Sequence, residues 1–322
     1  MPQDSAVRPY AGETYYGRPA LKASPFGWKT AGYIFLAGLS GSAQILGTVA
    51  DLGGGHKKLV RNARGLAMAG AVVGPALLIG DLHTPSRWYN MLRIFRRTSP
   101  MSIGSYILTG FGAFSALTLG ADWLELTGTA RAVQVPAAMA GAGMSVYTAA
   151  LLSSTSTPLW AASPRLLSVR FGASAMASAA AALSLGERLG GRSEGAETLD
   201  RVAMAASAVD LVASVAAERE YKAEGVAGPV EEGPWAPVEK IGAIAFGAAL
   251  PLVCHAINAR RERPSAALSV LGSLAILVGG MALRSAMLHA GNRSATRPRD
   301  YFRFAQPRPS LDHRPAPERI AR

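Results

Sequence analysis

The chain has 322 residues, 49% of them hydrophobic, with a mean hydropathy of +0.19 and a formal net charge of +12. Charged residues are 17% of the total and fall between long apolar runs rather than within them, which is the pattern of a polytopic membrane protein and of neither a soluble domain nor a disordered chain. The basic excess therefore belongs to loops and tails, with no folded soluble portion to present a basic face to nucleic acid, and the single cysteine, Cys254, rules out an internal disulfide and any cysteine cluster for iron–sulfur or structural zinc.

Residues 1–27 carry Pro2, Pro9, Pro19 and Pro25 with Arg8, Arg18 and Lys22, and contain no apolar core for a signal peptidase to process. They are expected to form an extramembrane N-terminal arm. Residues 28–290 are expected to form an all-α transmembrane helical bundle of about eight spans. The first four run over about 28–52, 64–82, 101–123 and 131–153, and the last four over about 165–185, 199–217, 238–258 and 266–289. In the first span, Gly38, Ser40, Gly41 and Ser42 allow close helix contact, and Trp28 and Tyr33 stand at interface depth. The sixth is the least apolar, mostly Ala and Val with Asp210 at mid-depth, and Pro251 predicts a kink in the seventh. Residues 291–322 read as an extended Arg/Pro-rich tail.

Eight spans place both termini on one face, together with the loops after spans two, four and six. That first face receives Arg87, Arg93, Arg96, Arg97, Arg165, Arg219 and the Arg-rich tail, which by the positive-inside rule makes it cytoplasmic, although the opposite loops are also basic.

The stretch 80–102, GDLHTPSRWYNMLRIFRRTSPMS, is the densest collection of polar, aromatic and basic groups in the chain. Asp81 closes the second span, Pro85 stops the helix, and Ser99-Pro100 restarts one. Two readings stand side by side: Asp81 as a helix-terminal group with the arginines as topology signals, or Asp81 as part of a site beside a cationic loop. Tyr147 lies six residues before Ser153, roughly 9 Å along a helix, so its phenol sits just under the interface, within reach of a lipid-soluble head group. It is otherwise an interfacial aromatic. Asp81, Tyr147 and Trp28 thus share one membrane level. Asp210 and Arg284 are charges deep enough to need a partner, and their depths match closely enough for them to pair; a proton route through Asp210 is the other reading. His255 and His289 fall at opposite ends of their spans and cannot share one haem iron.

Four stretches resemble the NrfD/polysulfide reductase family of membrane subunits. They are ETYYGRPALK leading into YIFLAGLSGSA, DLHTPSRWYNMLRIFRRTSPMSIGSYIL, YTAALLSSTSTPLW and ALRSAMLHAGNRSATRP, in the family's order, the second being the most specific. The resemblance implies a quinol-interacting anchor in the inner membrane of a bacterial cell, a subunit holding no catalytic centre, haem, metal or iron–sulfur cluster. Its partners would be a ferredoxin-like [4Fe–4S] subunit, a molybdopterin subunit carrying molybdenum or tungsten, and membrane lipids. Formate is the first candidate donor and sulfur compounds the next. It implies a quinone pocket near the docking face, in which Tyr147 contacts the head group. On this chain's own residues, Asp81 would supply protons, with His83 beside it either a proton-accepting group or a solvated loop histidine, and the arm before Trp28 together with Arg87, Arg93, Arg96 and Arg97 would form the docking surface, since both lie on the face where the pocket opens. Two departures stand out: His83-Thr84 replaces the usual Gly-Arg after Asp-Leu, and Ala161-Ala162 replaces a common His-Glu after Trp160. A small-solute or lipid transporter is the alternative that eight spans, Pro251 and Asp210 would also suit, though no inverted repeat is visible.

Overall fold

The computed structural model describes residue 19 and residues 21–305. Among these, eight long helices run antiparallel, end to end: α1 (Trp28–Leu52), α2 (Lys57–Gly80), α3 (Pro100–Trp123) and α4 (Thr127–Ser153), then α5 (Pro164–Leu189), α6 (Ser193–Ala223), α7 (Val238–Ala259) and α8 (Ala266–Thr296). Local sequence sets where they start and stop. Gly54 and Gly191, at φ +74° and +73°, supply the left-handed backbone that the α1–α2 and α5–α6 turns require. Pro100 and Pro164 occupy first helical positions, where the missing N–H costs nothing, and Ser99 caps α3 by accepting from Ser102 N at 3.3 Å.

Contacts between distant segments fix the direction of each helix. At the near end, Ser24 N–H donates to Asn292 Oδ1 (2.9 Å), Leu159 N–H donates to Ser294 Oγ (3.2 Å), and the Trp235 and His289 rings stack at 3.9 Å. At the far end, Gln134 donates to Asp51 (2.8 Å), Arg188 to Ser269 (2.7 Å), and Ser265 N–H to Asn258 (2.6 Å). The chain therefore traverses the bundle eight times, with residue 28 and residue 296 at the same end. Seven of these helices are long and apolar enough to cross a membrane; α6 traverses with them but carries too many charges to meet that measure.

The structure departs from the sequence expectations at several ends. α2 begins at Lys57 and α4 at Thr127, a turn or more earlier than the apolar runs suggest, because polar residues continue a helix where it leaves hydrocarbon. Residues beyond 291 are helical, not extended: α8 continues to Thr296 and Pro298–Ala305 adds a further helix. Packing holds that segment in place. Trp160 Nε1 donates to Met287 O at 2.7 Å and its ring lies so close to Gly291 that a Cβ there would fall 1.9 Å from Nε1; Asp300 is buried and pairs with Arg297 at 3.4 Å. Residues 1–18 of the arm and 306–322 of the tail lie outside the described residues. In α7, residues Val238–Ala249 are π-helical and Leu250–Ala259 α-helical, so the wide turns upstream accommodate Pro251.

α1 is the central helix, packed against α2, α4, α5 and α8. Its Gly41 faces Gly141 of α4 so closely that a Cβ on Gly41 would stand 2.3 Å from the Gly141 carbonyl oxygen. Beside this contact Ser42 and Ser145 hydrogen-bond at 3.0 Å. The buried charges have polar partners, but not as their depths suggested. Asp210 lies 3.7 Å from Arg170 of α5, which also binds Glu239 of α7 at 2.7 Å. Arg284 instead donates to Ser174 Oγ (2.6 Å), Phe171 O (2.9 Å) and Gly280 O (3.2 Å) and lies over the Phe171 ring. The expected Asp210–Arg284 pair gives way because Arg170 faces both carboxylates.

Gly41→Ala should lower the thermal stability of the detergent-solubilised protein by about 1–3 kcal/mol, the usual cost of inserting a methyl group where backbones touch. Gly65→Ala, in α2 with nothing within 4 Å of its added Cβ, should leave the melting temperature unchanged or raise it.

Candidate functional site

At the near end, α1, α2, α3 and α4 enclose a cavity of about 310 Å³, roofed by the 3₁₀ segment Pro85–Leu92. Its walls are almost wholly apolar, with a few polar side chains converging on them, which is the make-up of a small-molecule site. Trp88, Met91 and Leu92 of the 3₁₀ segment close the mouth. That segment is held down on α3: Tyr106 OH donates to Leu92 O (3.0 Å), the Phe95 and Tyr106 rings meet edge to face at 5.0 Å, and Ser102 Oγ donates to Ile94 O (3.2 Å).

Two tyrosines define the polar wall. Tyr33 of α1 is 3% exposed, Tyr147 of α4 is half-buried, and their phenolic oxygens hydrogen-bond to each other across the cavity. Room for the Tyr147 ring comes from Gly104 of α3, where a Cβ would lie 2.3 Å from Cε2. One turn before Tyr33, on the same face of α1, Thr30 also lines the cavity, and its Oγ1 donates to Asp81 Oδ2 at 2.5 Å. Asp81 is the C-cap of α2, and Lys29 Nζ donates to the neighbouring Gly80 carbonyl at 3.0 Å, where a cation complements the helix terminus. Thr30 thus joins the cavity wall to a half-buried carboxylate that lies behind it.

The structure brings Tyr147 and Asp81 together at this cavity and separates the other residues singled out by sequence. His83 is exposed, beyond the cavity wall. Asp210 belongs to the α5–α8 half of the bundle, with Arg170 and Glu239. Arg87, Arg93, Arg96 and Arg97 are exposed on the near end, in and after the roof segment, among the exposed side chains of Trp88, Tyr89, Ile94 and Phe95. Trp28, placed at the same level by sequence, is 67% exposed and points away. Its place is taken by Thr30 and Tyr33, whose three-residue spacing in the first turns of α1 was the available signal. Arg170 and Glu239 were likewise missed, although an arginine one turn inside an apolar run is legible as a buried cation.

The arrangement offers a flat, lipid-soluble ring an apolar slot with two phenols at one side and a carboxylate one hydrogen bond away. Among the described residues, no group of three or more His, Cys, Asp or Glu side chains converges as a metal ion requires. His255 lies at the far end, near Asp200, and His289 at the near end, against Trp235.

No curated protein matches the chain. A family model described as Polysulphide reductase, NrfD matches residues 20–294, from the end of the arm to the last turn of α8. Members of that family are membrane anchor subunits of molybdopterin oxidoreductases, associated with quinone and typically partnered by iron–sulfur and molybdopterin subunits. The match covers every traversing helix and the near-end cavity, and the chain belongs to the polysulphide reductase NrfD family.

Proposed function

We propose that this chain is the quinone-reactive membrane subunit of a multi-subunit oxidoreductase, exchanging electrons with a docked ferredoxin-like [4Fe–4S] subunit and, through it, with a molybdopterin catalytic subunit. The observation that carries the reading is the Tyr33–Tyr147 phenol pair set in an apolar cavity at the near end of the bundle. A quinone head group enters between α2 and α3 with its tail toward lipid, and one carbonyl takes the Tyr147 hydroxyl in place of Tyr33. Reduction adds two electrons and two protons and yields the quinol. The electrons come from the iron–sulfur partner that members of the family typically carry.

Protons reach the cavity through Asp81, which passes them by way of Thr30, while the exposed His83 collects them from solvent beside Asp81. Asp210 is too remote to serve this cavity and would have to act on a separate proton route. The exposed Arg87, Arg93, Arg96 and Arg97, with the aromatic side chains between them, form the docking surface, because they surround the roof of the cavity and shorten the electron path. The membrane is a bacterial inner membrane with both termini cytoplasmic, as the basic loops of the near end favour.

Tyr147→Phe should keep the fold and weaken quinone-analogue binding by about 0.5–1.5 kcal/mol, the worth of one hydrogen bond, with a parallel fall in turnover. Unchanged binding and turnover would return Tyr147 to a packing role. Asp81→Asn keeps the acceptor for Thr30 but cannot carry a proton, so turnover per assembled complex should fall by about 10²–10⁴-fold with little change in melting temperature. If Asp81 only caps α2, stability falls and turnover holds. Charge reversal at Arg93, Arg96 and Arg97 together should release the iron–sulfur subunit in co-purification while the membrane subunit still inserts; an intact complex would refute the docking surface.

A further inference from the structure

At the far end of the bundle the helices that enclose the near-end cavity open a second recess, of about 470 Å³. Lys57, Lys58, Arg61 and Arg64 of α2 and Arg131 of α4 line it together with Asp51, Asp122 and Glu125, so five cations meet three carboxylates. Asp122 takes Arg61 at 3.4 Å and Arg64 at 2.9 Å, and Asp51 takes Arg131 at 3.4 Å. Glu125 stands exposed in the α3–α4 turn, and the exposed Lys57 and Lys58 make none of these ion pairs. Arg64 reaches deepest. Its side chain is 4% exposed, its Nη1 and Nη2 are held by Asp122 and Gln134, and its Nε has no hydrogen-bond partner among the described residues.

The backbone adds to the positive excess. α2 and α4 both begin at this recess, with Lys57 and Thr127 as their first residues, and neither carries an acidic residue in its first turn. A helix start presents unpaired N–H groups and the positive end of the peptide dipole, so it favours carboxylates and opposes cations. Lys57 and Lys58 invert that preference. Like charge gathered in this way repels itself, and an anion set between the two helix starts and the lysines turns the repulsion into attraction.

Which anion reaches this depth follows from the turn beside the recess. Trp123, Leu124 and Leu126, on either side of Glu125, are all exposed, and an outward-facing tryptophan and two leucines at the end of membrane helices lie in the lipid interface. The mouth of the recess is then level with phospholipid head groups. We propose that it binds the phosphate of an anionic phospholipid in the far leaflet, with Lys57, Lys58 and Arg64 Nε toward the phosphate and the acyl chains alongside Trp123, Leu124 and Leu126. Basic pockets between transmembrane helices hold lipid phosphate by the same attraction. A phosphoglycerol head group suits the excess because nothing in it offsets the phosphate charge, whereas phosphoethanolamine brings its own cation. The bound lipid joins the starts of α2 and α4 and so stabilises the chain. The site goes beyond the quinone reading and does not depend on it.

The test titrates the full chain in dodecyl maltoside with dioleoyl phosphatidylglycerol, with dioleoyl phosphatidylethanolamine and with inorganic phosphate, reading Tm in each case. Phosphatidylglycerol should raise Tm by several degrees and saturate at about one lipid per chain, as expected of a ligand bound by the folded state alone. The other two should raise it little. Lys57→Gln with Lys58→Gln should abolish the rise and, without lipid, leave Tm unchanged or higher, since the start of α2 loses two opposed cations. Arg260→Gln with Arg263→Gln removes two exposed charges from the α7–α8 turn on the same face and should keep the rise, which separates a site from general surface charge. An equal rise with phosphatidylethanolamine overturns the proposal, and an equal rise with inorganic phosphate replaces the lipid by a free anion. A full phosphatidylglycerol rise in the lysine variant overturns it as well. With neither quinone nor partner present, each of these outcomes leaves the reading of the near-end cavity untouched.

Discussion

The backbone contact between Gly41 and Gly141 sets the geometry on which the near-end site depends. Within hydrocarbon there is no hydrophobic drive to bring helices together, so association rests on how closely backbones approach and on the hydrogen bonds that approach allows. With no Cβ at either glycine, α1 and α4 touch, and the Ser42–Ser145 bond locks their relative rotation. Tyr33 and Tyr147 lie two turns or so toward the near end on the same two faces. Their phenols meet because the helices that carry them cannot separate.

A second consequence is the division of the bundle. α1 to α4 enclose the cavity, while α5 to α8 bury charge in their own interior, and α1 and α4 join the halves, both packing against α5. The far end of the first half is closed by a different device. Arg64, 3% exposed, binds Asp122 at 2.9 Å and Gln134 at 2.7 Å, with Asp51 3.6 Å away, so α1, α2, α3 and α4 are tied together where the cavity has ended. A ligand entering at the near end therefore meets a closed floor. Partial occupation of the interior by paired charge is weak evidence for stability in general, since desolvation offsets the attraction, and it points instead to fixed orientation of the helices involved.

Most of the fold was legible in the sequence because a membrane allows few answers: apolar runs of about twenty residues must be helices, and the Pro and Gly clusters between them must be turns. Helix ends were less legible. Lys57 to Asn62 and Thr127 to Ala130 are polar or mixed enough to read as loop, yet they extend α2 and α4, since nothing in water forbids a helix that has already been nucleated in lipid. The site was half legible. Tyr147 and Asp81 stood out by depth, whereas Tyr33 was hidden among the interface aromatics of α1, and only the rotation of α1 distinguishes it from the outward-facing Trp28. The ion pairs were the least legible part, because Arg170, Asp210 and Glu239 come from three helices whose relative rotation no span-by-span reading supplies.

The two departures from the family pattern take on a single meaning once they are placed. His83 and Thr84 are exposed on the loop that leads into the cavity roof, and Ala161 and Ala162 end the short helix Pro158–Ala162 at the same end of the bundle. None of the four contributes to the cavity wall, while Thr30, Tyr33 and Tyr147 do. In the second case Trp160, beside the alanines, is 1% exposed, bonded to Met287 O and pressed against Gly291, while Ala161 and Ala162 are half-buried, Ala162 packing against the core. Divergence at these positions therefore leaves the side chains of the cavity wall as they are. On the reading proposed above, the change falls on the surface that would dock the partner and, at His83, on the group that would feed protons to Asp81, while the slot keeps its lining of Thr30, Tyr33 and Tyr147.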